Sequence, residues 1–230
     1  MSLLIDVARW FADPAHYQGS DAVQTRLLEH VELSALALLA GALIALPIGL
    51  YLGHTGHGAF VAVNVANVGR AIPSFAWLAF ALPVAIALGL GLGFWPTLFA
   101  LVPLAFPPIL TNAYVAIRGV DPDVVEAARG MGLRETGILR RIELPLALPL
   151  IVVGIRTATV NVIATATLGA LVAGGGLGRY IVDGLALQEY DRLFAGALLV
   201  ALLAISVEIS FAVFAREAVP AGIREGRPAF

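Results

Sequence analysis

The chain has 230 residues, 60% of them hydrophobic and 13% charged, with a net charge of −2 and a mean hydropathy of +0.91. Soluble domains run nearer half apolar and a quarter charged, so this composition belongs to a chain that lipid solvates. The charge balance offers no basic surface to nucleic acid, the absence of cysteine rules out disulfides and thiolate metal sites, and four scattered histidines show no metal-ligand spacing.

Residues 1–32 form an N-terminal segment with a short apolar run broken by Asp6, Arg9 and Asp13, which is no cleavable signal pattern. Beyond it the charges are segregated. Arg70 is the one charged residue between Leu33 and Ile117, and Arg156 the one between Leu144 and Leu177. A helix needs about 20 residues to cross the hydrocarbon core. Five spans are predicted on that basis, at about 33–53, 73–92, 95–117, 144–170 and 193–214. Helices are the spanning element, because hydrocarbon cannot satisfy free backbone groups and strand-like alternation is absent. The expected fold is therefore an all-α membrane protein of about five transmembrane helices. Its transmembrane domain covers 33–216, and a tail covers 217–230.

Two apolar stretches do not read as simple spans. Residues 59–69 are too short to cross and end at Arg70 and Pro73, which predicts an interfacial or half-buried helix. The run from Leu168 to Gly178 holds Gly174, Gly175, Gly176 and Gly178. Each glycine costs about 1 kcal/mol in a helix against alanine, so the helix breaks there. Two readings stand: a gate-like turn enclosed by protein at membrane depth, or a glycine loop at the membrane surface.

Orientation follows the arginines. The loop at 118–143 carries Arg118, Arg129, Arg134, Arg140 and Arg141, and the tail region carries Arg216, Arg224 and Arg227. The N-terminal segment has only Arg9 and Arg26 against five acids. The positive-inside rule places the loop and the C-terminus in the cytoplasm. Counting three spans back puts the N-terminus outside, a parity that holds only if 59–69 does not cross.

The loop opens with Asp121-Pro122-Asp123, an N-cap acid followed by proline at the first helical position. Val124, Ala127, Ala128 and Met131 then recur at helical spacing, Gly132 interrupts, and a second short helix follows from Arg134 to Arg141. Such a compact helical knob suits insertion into a partner's groove. The same residues also suit a loop that merely anchors two spans.

Glu126-Ala127-Ala128, three residues, Gly132, nine residues, Ile142, one residue and Leu144-Pro145 match the E-A-A-x3-G-x9-I-x-L-P signature at every position. The chain thus resembles the permeases of binding-protein-dependent ABC importers. The resemblance implies a type-1, methionine-importer-like core whose loop is a coupling helix docked on an ATPase. Glu126, Ala127, Ala128 and Gly132 would form the dock, and Ile142, Leu144 and Pro145 would tie it to the fourth span. It further implies two ATPase subunits, a second permease subunit, identical or similar, and an extracytoplasmic solute-binding protein. The location implied is the bacterial cytoplasmic membrane. The chain has no G-x4-G-K-[ST] loop and no lysine, so the ATPase is expected on a separate chain, and the resemblance implies a subunit that is not itself an enzyme and holds no cofactor. ATP and Mg²⁺ would sit on the partner ATPase.

Three further stretches, Ile44 to Gly49, Ala71 to Ala79 and Gly169 to Gly178, look like those of the osmoprotectant permeases. This implies import of glycine betaine, choline, carnitine or a similar quaternary ammonium solute. Methionine-type permeases share the five-span core and a glycine-rich stretch, so another small solute remains an alternative. A stand-alone channel or secondary transporter would carry more intramembrane acids or an internal repeat.

Polar groups inside spans mark a translocation path or hold helices together. The candidates are Asn64, Asn67, Thr111, Asn112, Arg156, Thr157, Asn161 and Thr165, with Thr159 and Thr167 beside them. Arg156 falls near mid-span and is expected to face a partner, a cavity or the interface, and Glu208 in the last span is one candidate partner. Phe75, Trp77, Phe80, Trp95 and Tyr114 fit either cation–π contact with a quaternary ammonium or anchoring at the membrane interface.

Overall fold

The computed structural model describes residues 2–218, and every regular element in that range is helical. In chain order the helices are α1 (Ser2–Ala12), α2 (Val23–Thr55), α3 (Ala59–Ala71), α4 (Ser74–Ala87), α5 (Phe94–Arg118), α6 (Pro122–Gly130), α7 (Glu135–Ile138), α8 (Leu144–Ala166), α9 (Gly178–Leu187) and α10 (Tyr190–Ala218). Short 3₁₀ turns occupy Pro14–Tyr17 and Thr167–Val172, and a π-helical turn occupies Leu139–Glu143. Of the predicted tail, residues 219–230, with Arg224 and Arg227, lie outside the described residues.

Among the described residues, four helical segments are long and apolar enough to cross a membrane, built on α2, α5, α8 and α10. Three differences from the sequence expectation have physical causes. First, α2 begins at Val23 rather than near Leu33, so ten residues placed in the N-terminal segment are the first turns of a 33-residue helix. The spread of Arg26, Glu29 and Glu32 hid this start, because intramembrane charge was the criterion. Second, α4 ends at Ala87, with 14 residues in place of the predicted span to 92. At 1.5 Å per residue it reaches about 21 Å, short of a hydrocarbon core of about 30 Å. It stops because Gly89, Gly91 and Gly93 take φ of +71°, +76° and +85°. Third, the fourth span leaves the α-helix at Ala166 and tightens into the 3₁₀ turn. The helix predicted at 59–69 is present as α3, whose 13 residues are too few to cross alone.

The chain forms two compact units, and each of the four long helices contributes to both. The first unit comprises the chain up to Ala40, Ile72–Ala105 and Thr159–Val207. Its main core joins Val7 and Trp10 of α1, Val23 of α2, Leu177, Tyr180 of α9, and Ala195 and Val200 of α10. Trp10 meets Tyr180 edge-on at 5.3 Å. The Tyr180 hydroxyl donates to the backbone oxygen of Asp21 at 2.5 Å. Burial pushes that hydroxyl up to about 12, so it stays a donor. A second cluster packs Leu78 and Ala81 of α4 on Ala100 of α5, with Trp77, Phe99, Leu168 and Val172 around them.

The second unit comprises Gly41–Ala71, Phe106–Ala158 and the end of α10 from Glu208. Its core is Ala113, Ala116 and Ile117 of α5 against Ala147 and Ile151 of α8, flanked by Leu46 and Leu50 of α2. Small residues set how near these helices come, since lipid supplies no hydrophobic drive between apolar faces. A methyl group on Gly49 would lie 2.8 Å from Ala113 Cβ, one on Gly53 2.6 Å from Ile117 Cβ, and one on Gly154 2.6 Å from Asn112 Cβ. In contrast, only 6% of the most apolar window of α10 is buried. That helix offers Leu198, Leu202, Ile205, Ile209 and Val213 to its surroundings, which an aqueous surface would not tolerate as a continuous stripe.

Candidate functional site: the loop between α5 and α8

The signature residues fall in the second unit, on a helical knob that joins the end of α5 to the start of α8. Asp121 caps α6: its carboxylate accepts the Asp123 backbone N–H at 2.9 Å, and Pro122 occupies the first helical position. The helix closes on Gly132. Leu133 N–H donates to the Ala128 oxygen (3.2 Å) and Gly132 N–H to the Arg129 oxygen (2.9 Å), the paired bonds of a Schellman turn. Gly132 has φ +83° with open space around its Cβ position, so it is the left-handed backbone, not crowding, that calls for glycine there.

The knob has an inner and an outer face. Ala128 and Ile138 are buried, whereas Glu126, Ala127 and Met131 are exposed. Arg129 donates from Nε and Nη2 to the two carboxylate oxygens of Glu135 (2.6 and 3.0 Å), clasping α6 to α7. That hydrogen-bonded carboxylate holds the Arg129 guanidinium above its ordinary value. Ile142 is half-buried in the π-helical turn, Leu144 packs against the unit's core, and Pro145 is exposed at the start of α8. A small cavity of about 170 Å³ lies beneath, walled by His54, Arg118, Val125, Glu126, Arg129 and Glu143 among others.

Two features here went unread in the sequence. Leu139–Glu143 forms a π-helical turn, an i→i+5 irregularity that often marks functional sites; nothing in the residue pattern distinguishes it from α-helix. His54, at the end of α2, sets Nδ1 2.5 Å from Glu143 Oε2 and Nε2 3.3 Å from Glu135 Oε2. The signal available was a buried-position acid, Glu143, inside the signature's unspecified gap.

The glycine-rich turn lies in the first unit, and its glycines are packed. Glu29 of α2 accepts the Gly176 N–H at 2.7 Å. A methyl on Gly175 would meet Glu29 Oε2 at 2.3 Å, and one on Gly178 would meet the Thr167 oxygen at 2.3 Å. Gly174 N–H donates to the Gly169 oxygen at 2.8 Å, and Gly174, Gly176 and Gly178 are buried. Gly175 is half-buried and Ala173 exposed beside them.

The polar candidates are dispersed. In the second unit Asn64 and Asn67 of α3 are exposed, with Asn64 donating to the Phe60 oxygen. Asn112 and Thr157 donate to the oxygens of Pro108 and Val153 on their own helices. Thr111 Oγ1 is buried with no hydrogen-bond partner among the described residues. Arg156 forms an ion pair with Glu208, one of the arrangements the sequence left open. In the first unit Asn161 is exposed and Thr165 half-buried. Of the aromatic candidates, Phe75 and Phe80 are exposed, Trp77 lies against the α4 cluster, and Trp95 meets the rings of Phe94 and Phe99.

The family model for the binding-protein-dependent transport system inner membrane component matches residues 37–219, which is most of the chain. The chain belongs to this family. As an inner-membrane component of a transport system, this permease is a non-catalytic subunit. It is 39% identical to the choline transport system permease protein OpuBB of Bacillus subtilis, over 85% of this chain and 88% of that one. It is 37% identical, over the same shares, to the glycine betaine/carnitine/choline transport system permease protein OpuCB of Bacillus subtilis, and 32% identical to the osmoprotectant import permease protein OsmW of Salmonella typhimurium, over 85% and 92%. Among solved structures, the MetNI methionine ABC transporter in inward-facing conformations superposes with a TM-score of 0.75, at 22% identity over 86% of this chain and 96% of that chain. At that identity the likeness shows the fold: the permease has the core of a methionine-importer-like ABC permease.

Proposed function

We propose that this permease imports a quaternary ammonium osmoprotectant — choline, glycine betaine or carnitine — with the loop at 118–143 receiving the stroke of a separate ATPase. The observation that carries the substrate class is the 39% identity with a choline permease across most of both chains. The coupling role rests on the complete signature and on the rigid build of the knob: a capped α6, a Schellman stop at Gly132 and the Arg129–Glu135 clasp. Exposed Glu126, Ala127 and Met131 supply the docking face.

In this reading two ATPase subunits, carrying ATP and Mg²⁺, bind two such knobs, one from each of two permease subunits. The largely unburied faces of α10 and α4 meet the second subunit and lipid. A solute-binding protein delivers the solute on the opposite side. The arginine distribution supports a cytoplasmic loop and C-terminus, and an outside N-terminus follows where the short α4 completes a third crossing before the loop. The turn at Gly174–Gly178, pinned by Glu29, serves as a gate element, and Asn161, exposed on α8 in the same unit, lines the path.

Uptake of labelled choline, glycine betaine and carnitine in a strain lacking other carriers, with the permease supplied alongside its ATPase and binding protein, tests this. ATP-dependent accumulation of at least one of the three supports the reading. Accumulation of none, with methionine taken up instead, refutes the substrate class.

A further inference from the structure

Beyond the signature residues, the end of α2 makes its own polar attachment to the knob. His54 is nearly enclosed, with 12% of its side chain exposed, and each ring nitrogen faces a carboxylate oxygen from a different part of the loop. Nδ1 reaches Glu143 in the π-helical turn at 2.5 Å, and Nε2 reaches Glu135 at the start of α7 at 3.3 Å. Glu135 is in turn clasped by Arg129 of α6. One imidazole thus connects α2 to α6, to α7 and to the root of α8.

Glu143 makes this more than a surface contact. Among the described residues it is the one acid that is fully buried, at 5% exposure. A buried carboxylate is costly unless paired and hydrogen-bonded, and His54 meets it at hydrogen-bond distance. Removing His54 takes this hydrogen bond from the enclosed carboxylate, and removing Glu143 leaves Nδ1 of His54 without it. A link that is expensive to break transmits displacement better than a solvated ion pair, whose net contribution is small. The loop's covalent ends attach it to α5 and α8 alone, so a push on α6 would reach α2 through packing only were His54 absent. Close by, Gly53 holds α2 against Ile117 of α5, which makes the last turn of α2 a fixed point on which such a strut can act.

We propose that His54 is a positioning residue for energy coupling: with Glu143 and Glu135 it forms a strut that passes movement of the coupling loop into α2. This rests on the reading of that loop as the ATPase's docking element.

The test uses the full complex of permease, ATPase and binding protein in proteoliposomes, reading solute imported per ATP hydrolysed. His54→Ala is expected to co-purify with the ATPase and to hydrolyse ATP, yet to import about tenfold less solute per ATP, within the usual range of coupling energies between sites. His54→Gln, whose amide can still donate to Glu143, is expected to recover at least half of the loss. Glu143→Ala should match His54→Ala, and the double variant should be no worse than either, as partners in one link are non-additive. A wild-type solute-to-ATP ratio in His54→Ala overturns the strut. So does an equal loss in His54→Ala and His54→Gln, and so does failure of both to assemble with the ATPase, which would make the residue one of folding or docking. The wild-type complex separates the two ideas: if it neither binds the ATPase through the loop nor imports, the underlying reading fails; if it imports and His54→Ala imports equally per ATP, only the strut fails.

Discussion

Glu29 and Gly176, 147 residues apart in sequence, are joined by a hydrogen bond from the glycine backbone N–H to the carboxylate at 2.7 Å. The bond fixes a turn that holds two residues, Ala173 and Gly176, at positive φ. Arg26 donates to the same carboxylate oxygen at 2.9 Å, keeping it aimed. Hydrogen bonds to charged groups contribute about 1.5–3 kcal/mol, and the partial exposure of Glu29 argues for the low end. Glu29→Ala is expected to speed amide exchange in the segment around 172–178 roughly fivefold or more, the equivalent of 1 kcal/mol, read by hydrogen–deuterium exchange. Gly175→Ala should reproduce the effect, because its methyl would occupy the place of the carboxylate.

Glycine is required unequally along the chain. A methyl on Gly154 would press on Asn112 Cβ and the Pro108 backbone oxygen at 2.6 and 2.9 Å, so α8 and α5 would have to separate. Gly154→Ala is expected to destabilise by about 1–3 kcal/mol, as other overpacked cores do, seen as a lower Tm in detergent. Gly130, at the end of α6, has open space and no positive φ. Gly130→Ala is expected to be neutral or to stabilise by up to about 1 kcal/mol. Equal losses in the two variants would contradict the packing account.

Arg156 and Glu208 compensate one another within the second unit. A lone charge in a span is expensive, so Arg156→Ala and Glu208→Ala are each expected to lower the yield of folded permease. The double substitution should recover part of it, by a coupling of roughly 1 kcal/mol or more. Monodisperse yield and Tm across the cycle provide the check, and strict additivity would show the pair to be incidental.

Much of the site was legible in residue chemistry. Asp121-Pro122 announced the start of α6 and Gly132 its end, because caps act locally and their residue types are few. Arg156 stood out because charge in a span is costly, which left a partner, a cavity or the interface open until the fold set it beside Glu208. Less visible was whatever depends on distance in the chain. The start of α2 at Val23 was masked by the charges of Arg26, Glu29 and Glu32, of which Arg26 pairs with Asp21 and Glu29, and Glu29 also accepts the Gly176 amide. Gly49 and Gly53, four apart, carried a small-residue packing signal that only their proximity to Ala113 and Ile117 makes specific. His54 closes an apolar span, and only the fold sets it beside Glu143.

Gly132→Ala is expected to cost about 1 kcal/mol by forcing a side chain into left-handed backbone, and to tilt the exposed tip formed by Met131. Import should fall while the two core clusters of the first unit stay intact, so the near-ultraviolet signal of Trp10 and Trp77 remains unchanged. A Gly132→Asn variant, which tolerates that backbone, should retain most of the import.

The central claim is that the loop carrying Glu126 and Met131 is a cytoplasmic knob that an ATPase grips. The chain has no cysteine, so Met131→Cys, at a position 73% exposed on the knob, supplies a unique thiol without further engineering. Labelling by a membrane-impermeant maleimide is expected in inverted vesicles and not in intact spheroplasts. The same thiol should cross-link to the ATPase subunit, and bound ATPase should protect it from the maleimide. Labelling from the outer face, or free labelling in the presence of an ATPase that sustains import, would contradict the account.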